Sequence, residues 1–169
     1  DRRYDLRKAH EQQYKVNELD PSENIEEFYN RYHDKTTELG VDRKSKKFFE
    51  RLFYNMSESI KLFSVQIDEQ NRGHHLYLLD NNQKSVHHYL MTITKEDYRY
   101  NSGELLHEHM IKWSIDNGYE QYDFGGINSD FREGTFKYKS EFGGSIKPTV
   151  NWQRNSSPVI TITSSLLQS

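Results

Sequence analysis

The chain has 169 residues, a length that suits one domain with a sizeable buried core. Its net charge of −3 provides no global basic field for nucleic acid or an anionic membrane surface. It has no cysteine, which excludes a disulfide framework, a thiolate zinc site and a cysteine nucleophile, and fits a reducing cytoplasm. With 12 Tyr and 14% aromatic residues, aromatic side chains are expected to fill much of the core.

The first third of the chain is predicted to be mostly helical. A helix is expected over residues 1–12, followed by a short strand over 14–19. The next helix is predicted to begin with Ser22 as its cap and to end at Gly40, because serine caps helix starts and glycine stops helices. A further amphipathic helix is expected over 45–55.

The middle of the chain is predicted to form an antiparallel sheet. Runs of apolar and β-branched residues indicate strands at 60–67, 76–79 and 86–94. Residues 80–82 read Asp-Asn-Asn, which favours a turn between the last two strands. Strands connected in this way are expected to pair in an antiparallel arrangement.

The last part is predicted to begin with a long helix over 103–117, which Asn101 or Ser102 caps and Gly118 ends. The remaining predicted elements are a strand at 119–124, a short helix around 136–137, and strands at 145–152 and 159–163. These elements together predict one α/β domain over 1–169, with a mixed, mostly antiparallel sheet flanked by helices.

The segment 122–148 has the most informative pattern. An aromatic strand runs into Gly125-Gly126, and a polar loop leads to a short helix that carries Phe136-Lys137 and ends at Gly143-Gly144. Glycine has no Cβ, so paired glycines let the backbone approach a ligand or another backbone closely. Both ends of this helix are therefore predicted to surround something bound.

The order of elements resembles the GNAT acyltransferase fold, in which an acyl donor sits where two central strands separate beside the start of a long helix. The resemblance implies a donor site at Ser102 and Gly103, since a helix N-terminus suits a pyrophosphate. The preceding loop keeps one glycine where the ordinary GNAT loop has two or three, and Glu104 would itself occupy the helix dipole. An ordinary helix cap is thus an equal alternative, and coenzyme A is not assumed.

The motif Tyr-Asp-Phe-Gly-Gly-Ile, followed by Phe-Lys and Phe-Gly-Gly, resembles the Fem family, which adds amino acids from aminoacyl-tRNA to peptidoglycan precursor peptides. It equally resembles a sister group of GNAT-fold acyltransferases. The resemblance implies that Lys137 stabilises the negative charge that develops on the carbonyl oxygen, with donor phosphate binding as its other possible role. The residues implied in substrate binding are Arg43, Tyr89, Gly125, Gly126, Asn128 and Phe136.

Aspartates and histidines are the other residues that could take part in the chemistry. Asp123 and Asp130 are possible general bases, although a pairing or capping role for Asp123 and a turn role for Asp130 are favoured. The eight histidines include three close sets, 74–75, 87–88 and 107–109. Neighbouring side chains on a strand point to opposite faces, so no ready ligand pair forms, and surface or satisfied histidines without a metal are expected.

The resemblance implies acyl or aminoacyl transfer to an amine acceptor in cell-envelope metabolism, with a peptidoglycan precursor as the acceptor. The donor is expected to be aminoacyl-tRNA or acetyl-coenzyme A. One alternative is an N-acetyltransferase for a small molecule or sugar, and another is a non-catalytic lobe that binds an acceptor or a partner. The chain opens on Asp1 and resembles a second Fem lobe with returning strands over 145–169. The resemblance therefore implies either a missing first lobe or a homodimer. The expected location is the cytoplasm.

Overall fold

The computed structural model describes residues 2–126 and 134–148. The described residues form a five-stranded sheet whose strands lie side by side in chain order. All neighbouring pairs are antiparallel except the last, which is parallel. The strands are β1 (Tyr14–Leu19), β2 (Ile60–Ile67), β3 (Gln70–Asp80), β4 (Ser85–Met91) and β5 (Gln121–Asp123).

Helices cover both faces of the sheet. They are α1 (Arg2–His10), α2 (Ile25–Leu39), α3 (Lys46–Asn55), α4 (Ser102–Asp116) and α5 (Gly134–Ser140), with short 3-10 helices at Ser57–Ser59 and Lys95–Tyr100. The predicted mixed α/β fold is confirmed. None of the described helices is long and apolar enough to cross a membrane.

Local chemistry explains where the helices begin and end. The Ser45 hydroxyl accepts a hydrogen bond from the Phe48 amide at 3.2 Å, which caps α3. Gly40 ends α2 in the left-handed conformation, with φ 64°. The predicted Ser22 cap is wrong: α2 begins at Ile25, because the Asp20 carboxylate accepts the backbone N–H groups of Ser22 and Glu23 and holds this segment in a turn.

One face of the sheet packs against α2 and α3 through a cluster rich in aromatic residues, which we call the aromatic face. Its buried members are Phe28, Tyr32, Phe49, Phe53, Ile60, Leu62 and Leu76. The opposite face packs against α1 and α4, and we call it the α4 face. Its buried members are Ala9, Phe63, Val65, Ile67, Tyr77, Leu79, Val86, Ile93, Leu105, Leu106 and Met110.

Several predicted strand bounds differ from the structure. β4 spans Ser85–Met91 where 86–94 is predicted, and β5 spans Gln121–Asp123 where 119–124 is predicted. β3 begins at Gln70 and not at residue 76, because the polar side chains that precede residue 76, His74 and His75 among them, are buried in the structure. Residues 145–148 contain no strand, in contrast to the predicted strand over 145–152. The rest of that strand and the predicted strand over 159–163 lie outside the described residues.

Candidate functional site

β4 and β5 part beyond a short paired stretch, and we call the place where they part the cleft. The two strands pair over three residues only, from Ser85 with Gln121 to His87 with Asp123. Beyond that point β4 continues to Met91, while the other chain segment turns away through Phe124 and the double glycine. Gly125 has a φ of 77°, and a Cβ placed on it would lie 3.0 Å from the His88 carbonyl oxygen. The glycine thus allows the turn to pass close to β4.

Three buried histidines lie beside this point, one from each of three elements. His75 comes from β3, His88 from β4 and His107 from α4, with ring centroids 4.5–4.7 Å apart. One ring nitrogen of each lies within 4.8 Å of those of the other two. We call these residues the histidine cluster.

Two of the three imidazoles in the histidine cluster are held by a hydrogen bond with a tyrosine hydroxyl. The Nδ1 atom of His75 lies 2.9 Å from the Tyr77 hydroxyl, and that of His107 lies 2.6 Å from the Tyr122 hydroxyl. Within the described part of the chain, the Nε2 atoms of His75 and His88 are buried without a hydrogen-bond partner.

The environment keeps the histidine cluster uncharged. Burial, reinforced by the neighbouring Lys139, lowers the pKa of His88 to about 3. Burial together with the other two histidines lowers the pKa of His75 well below its usual value, and burial does the same for His107. Neutral imidazoles with free lone pairs are therefore the prevailing form near neutral pH.

Helix α5 closes one side of the cleft. Tyr138 of α5 and Phe142, two residues after its end, pack against the His107 ring, with centroids 5.9 and 5.3 Å away. Lys139 donates hydrogen bonds to the carbonyl oxygens of Gly125 at 3.1 Å and Gly126 at 2.8 Å. Burial lowers the pKa of this lysine. These contacts fasten the lysine-bearing helix to the double-glycine turn.

The start of α4 is covered. Ser102 and Gly103 are buried, and a Cβ on Gly103 would lie 2.9 Å from the Tyr138 hydroxyl. Arg2 stacks over the Tyr138 ring at 4.2 Å and forms a salt bridge with Glu104. A donor phosphate at the predicted site would therefore have to displace α5 or Arg2.

The structure separates the residues that the Fem resemblance implies. Lys137 is exposed on α5, and within the described residues its ammonium group makes no hydrogen bond or ion pair, whereas Phe136 is half-buried. Tyr89 packs against the aromatic face, and Arg43 is exposed between α2 and α3. These two side chains thus lie on the aromatic side of the sheet, opposite the histidine cluster. Asn128 and Asp130 lie outside the described residues.

Asp123 has a local structural role at the end of β5. Its carboxylate accepts the Gly125 amide at 2.7 Å and lies 2.7 Å from Nδ1 of His87. Burial by itself would raise the pKa of Asp123, but the hydrogen bonds from Gly125 and His87 lower it. A carboxylate so well held is a poor proton acceptor.

The sequence reasoning missed the histidine cluster. The histidines are expected to be exposed or satisfied, and an exposed position is wrong for His74, His75, His88 and His107, which are all buried. His74 is satisfied by Thr92 and Asn71, whereas Nε2 of His75 and that of His88 have no partner among the described residues. A usable signal was present: His88 lies two residues from the buried Val86 on β4, and His107 adjoins the buried Leu106 on α4. The alternation of side chains along a strand correctly predicts that His87 and His88 point to opposite faces: His87 is partly exposed and His88 is buried.

The comparisons with known proteins agree with this architecture. A family model described as an acetyltransferase (GNAT) domain matches residues 1–140. This chain belongs to the GNAT acetyltransferase family. Members of the family transfer an acyl group from a donor to an amine acceptor, which makes this chain an acyltransferase by family. No curated protein matches the sequence.

Solved structures of several GNAT enzymes share the fold. The chain is 8% identical to an aminoglycoside acetyltransferase, meta-AAC0020, from an uncultured soil metagenomic sample, with a TM-score of 0.65, 85% of this chain covered and 97% of the other. FemX is 13% identical with a TM-score of 0.70; the match covers 83% of this chain and 52% of FemX, which is about half of that protein. A ribosomal-protein-alanine N-acetyltransferase from Brucella melitensis biovar Abortus 2308 is 9% identical with a TM-score of 0.64; the match covers 85% of this chain and 99% of that one.

Proposed function

We propose that this GNAT domain transfers an acyl or aminoacyl group to an amine acceptor in the manner of Fem enzymes, with a peptidoglycan or other cell-envelope precursor as the acceptor. The observation that carries the proposal is the double-glycine turn after β5, to which α5 is fastened by Lys139. This arrangement sets a backbone turn and a lysine-bearing helix beside the gap between β4 and β5. The likeness to FemX supports the same assignment at the level of the fold.

Lys137 is proposed to act on the acyl carbonyl. When the acceptor amine forms a bond to the carbonyl carbon, negative charge collects on the oxygen until the bond to the donor's oxygen or sulfur breaks. A cation close to that oxygen stabilises the transition state more than the ground state. The exposed Lys137 ammonium group has no side-chain partner among the described residues and is available for this role. Lys139 is already engaged with two carbonyl oxygens.

A second candidate is transfer from acetyl-coenzyme A to a small molecule. It is favoured by the extent of the structural matches, because this chain covers 97–99% of the aminoglycoside and ribosomal-protein acetyltransferases but 52% of FemX. The covered start of α4 weighs against it, since Arg2 and Tyr138 occupy the space in front of Gly103.

The donor is tested by offering both kinds to the full chain. Radiolabelled acetyl-coenzyme A is supplied with a panel of amines, including aminoglycosides, and labelled aminoacyl-tRNA is supplied with a nucleotide-linked peptidoglycan precursor. Label in the precursor supports the Fem-type function. Label that enters small amines from acetyl-coenzyme A alone would replace it with the second candidate. No transfer, together with a thermal shift by the precursor, would indicate a binding lobe.

The two lysines of α5 provide a matched test of the mechanism. Replacement Lys137→Ala is expected to lower kcat about 100- to 1000-fold, the usual cost of losing one oxyanion contact, with no change in Tm. Replacement Lys139→Ala removes the two bonds to the glycine carbonyls and is expected to lower Tm. Unchanged turnover in Lys137→Ala would refute its proposed role, and a loss of turnover confined to Lys139→Ala would transfer that role to Lys139.

A further inference from the structure

The histidine cluster lies where β3, β4 and α4 meet, and GNAT family membership assigns no role to it. Proximity of three histidines is not in itself evidence of a metal, because imidazoles also pack as ordinary rings. The hydrogen bonding around the three rings is more informative. It decides which nitrogen of each ring has a proton and which has a free lone pair.

For His75 the tautomer follows from the Tyr77 hydroxyl. That hydroxyl has one hydrogen and donates it to the Leu106 carbonyl oxygen at 3.2 Å. Its oxygen can therefore only accept from Nδ1 of His75, which lies 2.9 Å away. The proton is on Nδ1, and the buried Nε2 atom has a lone pair with no donor to meet it.

His107 uses Nδ1 in the same way as His75, with the Tyr122 hydroxyl, so Nε2 is its remaining nitrogen. In His88 the Nε2 atom is also buried without a hydrogen-bond partner among the described residues. His75 and His107 therefore share one arrangement, with Nδ1 hydrogen-bonded to a tyrosine hydroxyl and Nε2 left over, and His88 likewise has an unpartnered Nε2 atom.

This arrangement is typical of histidines that bind metals, whose other ring nitrogen is held by a carbonyl or another oxygen group. A lone pair that is buried without a hydrogen-bond donor lowers the stability of the folded protein. Burial also keeps these imidazoles neutral, which is the form of histidine that binds a metal ion. We propose that the histidine cluster is a binding site for a divalent transition-metal ion, with zinc as the first choice, through Nε2 of His75, His88 and His107.

The size of the cluster fits such an ion after a small adjustment. Zinc lies about 2.0–2.1 Å from an imidazole nitrogen, so nitrogens around a tetrahedral ion are roughly 3.4 Å apart. One nitrogen of each ring now lies within 4.8 Å of those of the other two, so ligation requires the rings to turn inward by about 1 Å or slightly more.

The charges around the cluster are compatible with a bound cation but do not strengthen its binding. Lys139 and Arg2 are the cations that act on these rings. Arg2 is neutralised by the carboxylates of Asp5, Glu104 and Glu141. Affinity is therefore expected to arise from the three imidazoles and not from the surrounding field.

The test uses the full chain without a histidine tag, stripped of metal with a chelator. Zinc is titrated in by calorimetry, and Tm is measured with and without one equivalent. The wild type is expected to bind one zinc and to gain several degrees in Tm. Replacements His88→Gln and His107→Gln are expected to lose at least about 100-fold in affinity, since loss of a supporting hydrogen bond alone costs 10- to 100-fold.

Two neighbours serve as matched controls. Replacement His87→Gln changes the adjacent histidine on β4, and His109→Gln changes the one two residues along α4; both are expected to bind zinc as the wild type does. Replacement Tyr122→Phe removes only the support of His107 and is expected to weaken zinc about 10- to 100-fold. Circular dichroism of each metal-free variant verifies the fold, and Tyr122→Phe keeps the test valid if a ligand variant does not fold.

Three results would overturn the proposal. One is binding of less than one zinc by the wild type. Another is equal zinc affinity in His88→Gln and His87→Gln. The third is a nitrogen NMR spectrum in which zinc leaves the His75, His88 and His107 Nε2 signals unshifted. Shifted Nε2 signals with Nδ1 still protonated would support the site directly.

Discussion

The two faces of the sheet are built from different chemistry. On the aromatic face, Phe28 is fully buried and contacts the rings of Tyr32, Phe49 and Phe53, so the interior there is mostly aromatic and apolar, although it also buries His74. The α4 face buries charged and polar groups, among them Arg2, Glu104 and the histidine cluster. Within the described residues, buried polar atoms of this second face remain without partners at Arg2, His75, His88 and Ser102.

This difference separates stability from function. Apolar side chains bury area at little polar cost, so the aromatic face supplies folding free energy. Buried polar atoms without partners reduce stability unless something binds them, and they concentrate beside the gap between β4 and β5. We therefore expect changes on the aromatic face to affect unfolding and changes around the cleft to affect binding and turnover.

The largest effect is expected from Phe28→Ala on the aromatic face. Removing a fully buried phenylalanine leaves a cavity and typically costs about 3–5 kcal/mol. Urea unfolding at neutral pH measures the loss, with Phe48→Ala, whose side chain is 37% exposed, as a control that should cost much less. Turnover per folded molecule should stay unchanged. A Phe28→Ala variant that kept its stability but lost activity would contradict the assignment of stability to the aromatic face and of function to the cleft.

A smaller effect is expected from His74, the buried histidine that the aromatic face contains. Burial and the nearby Arg31 lower its pKa to about 3, while in the unfolded chain the value is about 6.5. As the pH falls, His74 therefore becomes protonated in the unfolded state at a higher pH than in the folded state. Its contribution to the free energy of unfolding is complete above pH 6.5 and decreases as the pH drops toward 3. Between pH 7 and 5 this group accounts for a loss of about 2 kcal/mol.

Replacement His74→Gln tests this pH dependence. The variant loses some stability at pH 7, because the His74 ring contacts the Thr92 hydroxyl at 3.1 Å and Asn71 at 3.0 Å. Its stability should nevertheless fall about 2 kcal/mol less than that of the wild type between pH 7 and 5. Urea unfolding at a series of pH values measures both slopes. Parallel slopes would mean that His74 does not titrate as described.

Most of the fold could be predicted because its signals are local. The predicted bounds of β1 and β2 are those of the structure, and the predicted end of α2 at Gly40 follows from a single residue. The start of β3 could not be predicted in this way. Its polar residues gain burial only because helices cover both faces, which is a property of the tertiary structure.

The candidate site could be predicted only in part, for the same reason. The double glycine and the lysine-bearing helix are adjacent in sequence and show a recognisable pattern. The histidine cluster joins residues 75, 88 and 107, and Arg2 reaches Glu141 across 139 positions. Nothing in local periodicity indicates such distant pairs. Lys139 was overlooked because its partners are backbone carbonyls, which have no signature in the sequence.

The smallest effect concerns the turn that opens the cleft. Alanine at Gly125 would have to adopt φ 77° and place its Cβ 3.0 Å from the His88 carbonyl oxygen, whereas alanine at Gly126 would meet nothing within 4 Å. Replacement Gly125→Ala is therefore expected to cost about 1–2 kcal/mol, the price of the left-handed conformation for a residue with a Cβ. Gly126→Ala should be nearly neutral in urea unfolding.

The two glycine variants also reveal what the turn contributes to the cleft. Strain at Gly125 is expected to be relieved by moving the turn away from β4, which would displace the carbonyl oxygens that hold Lys139 and change the packing beside His88. Gly125→Ala should therefore weaken zinc binding and lower turnover by more than its loss of stability explains, while Gly126→Ala changes neither. Equal behaviour of the two variants would show that the cleft does not depend on this close approach of backbone to backbone.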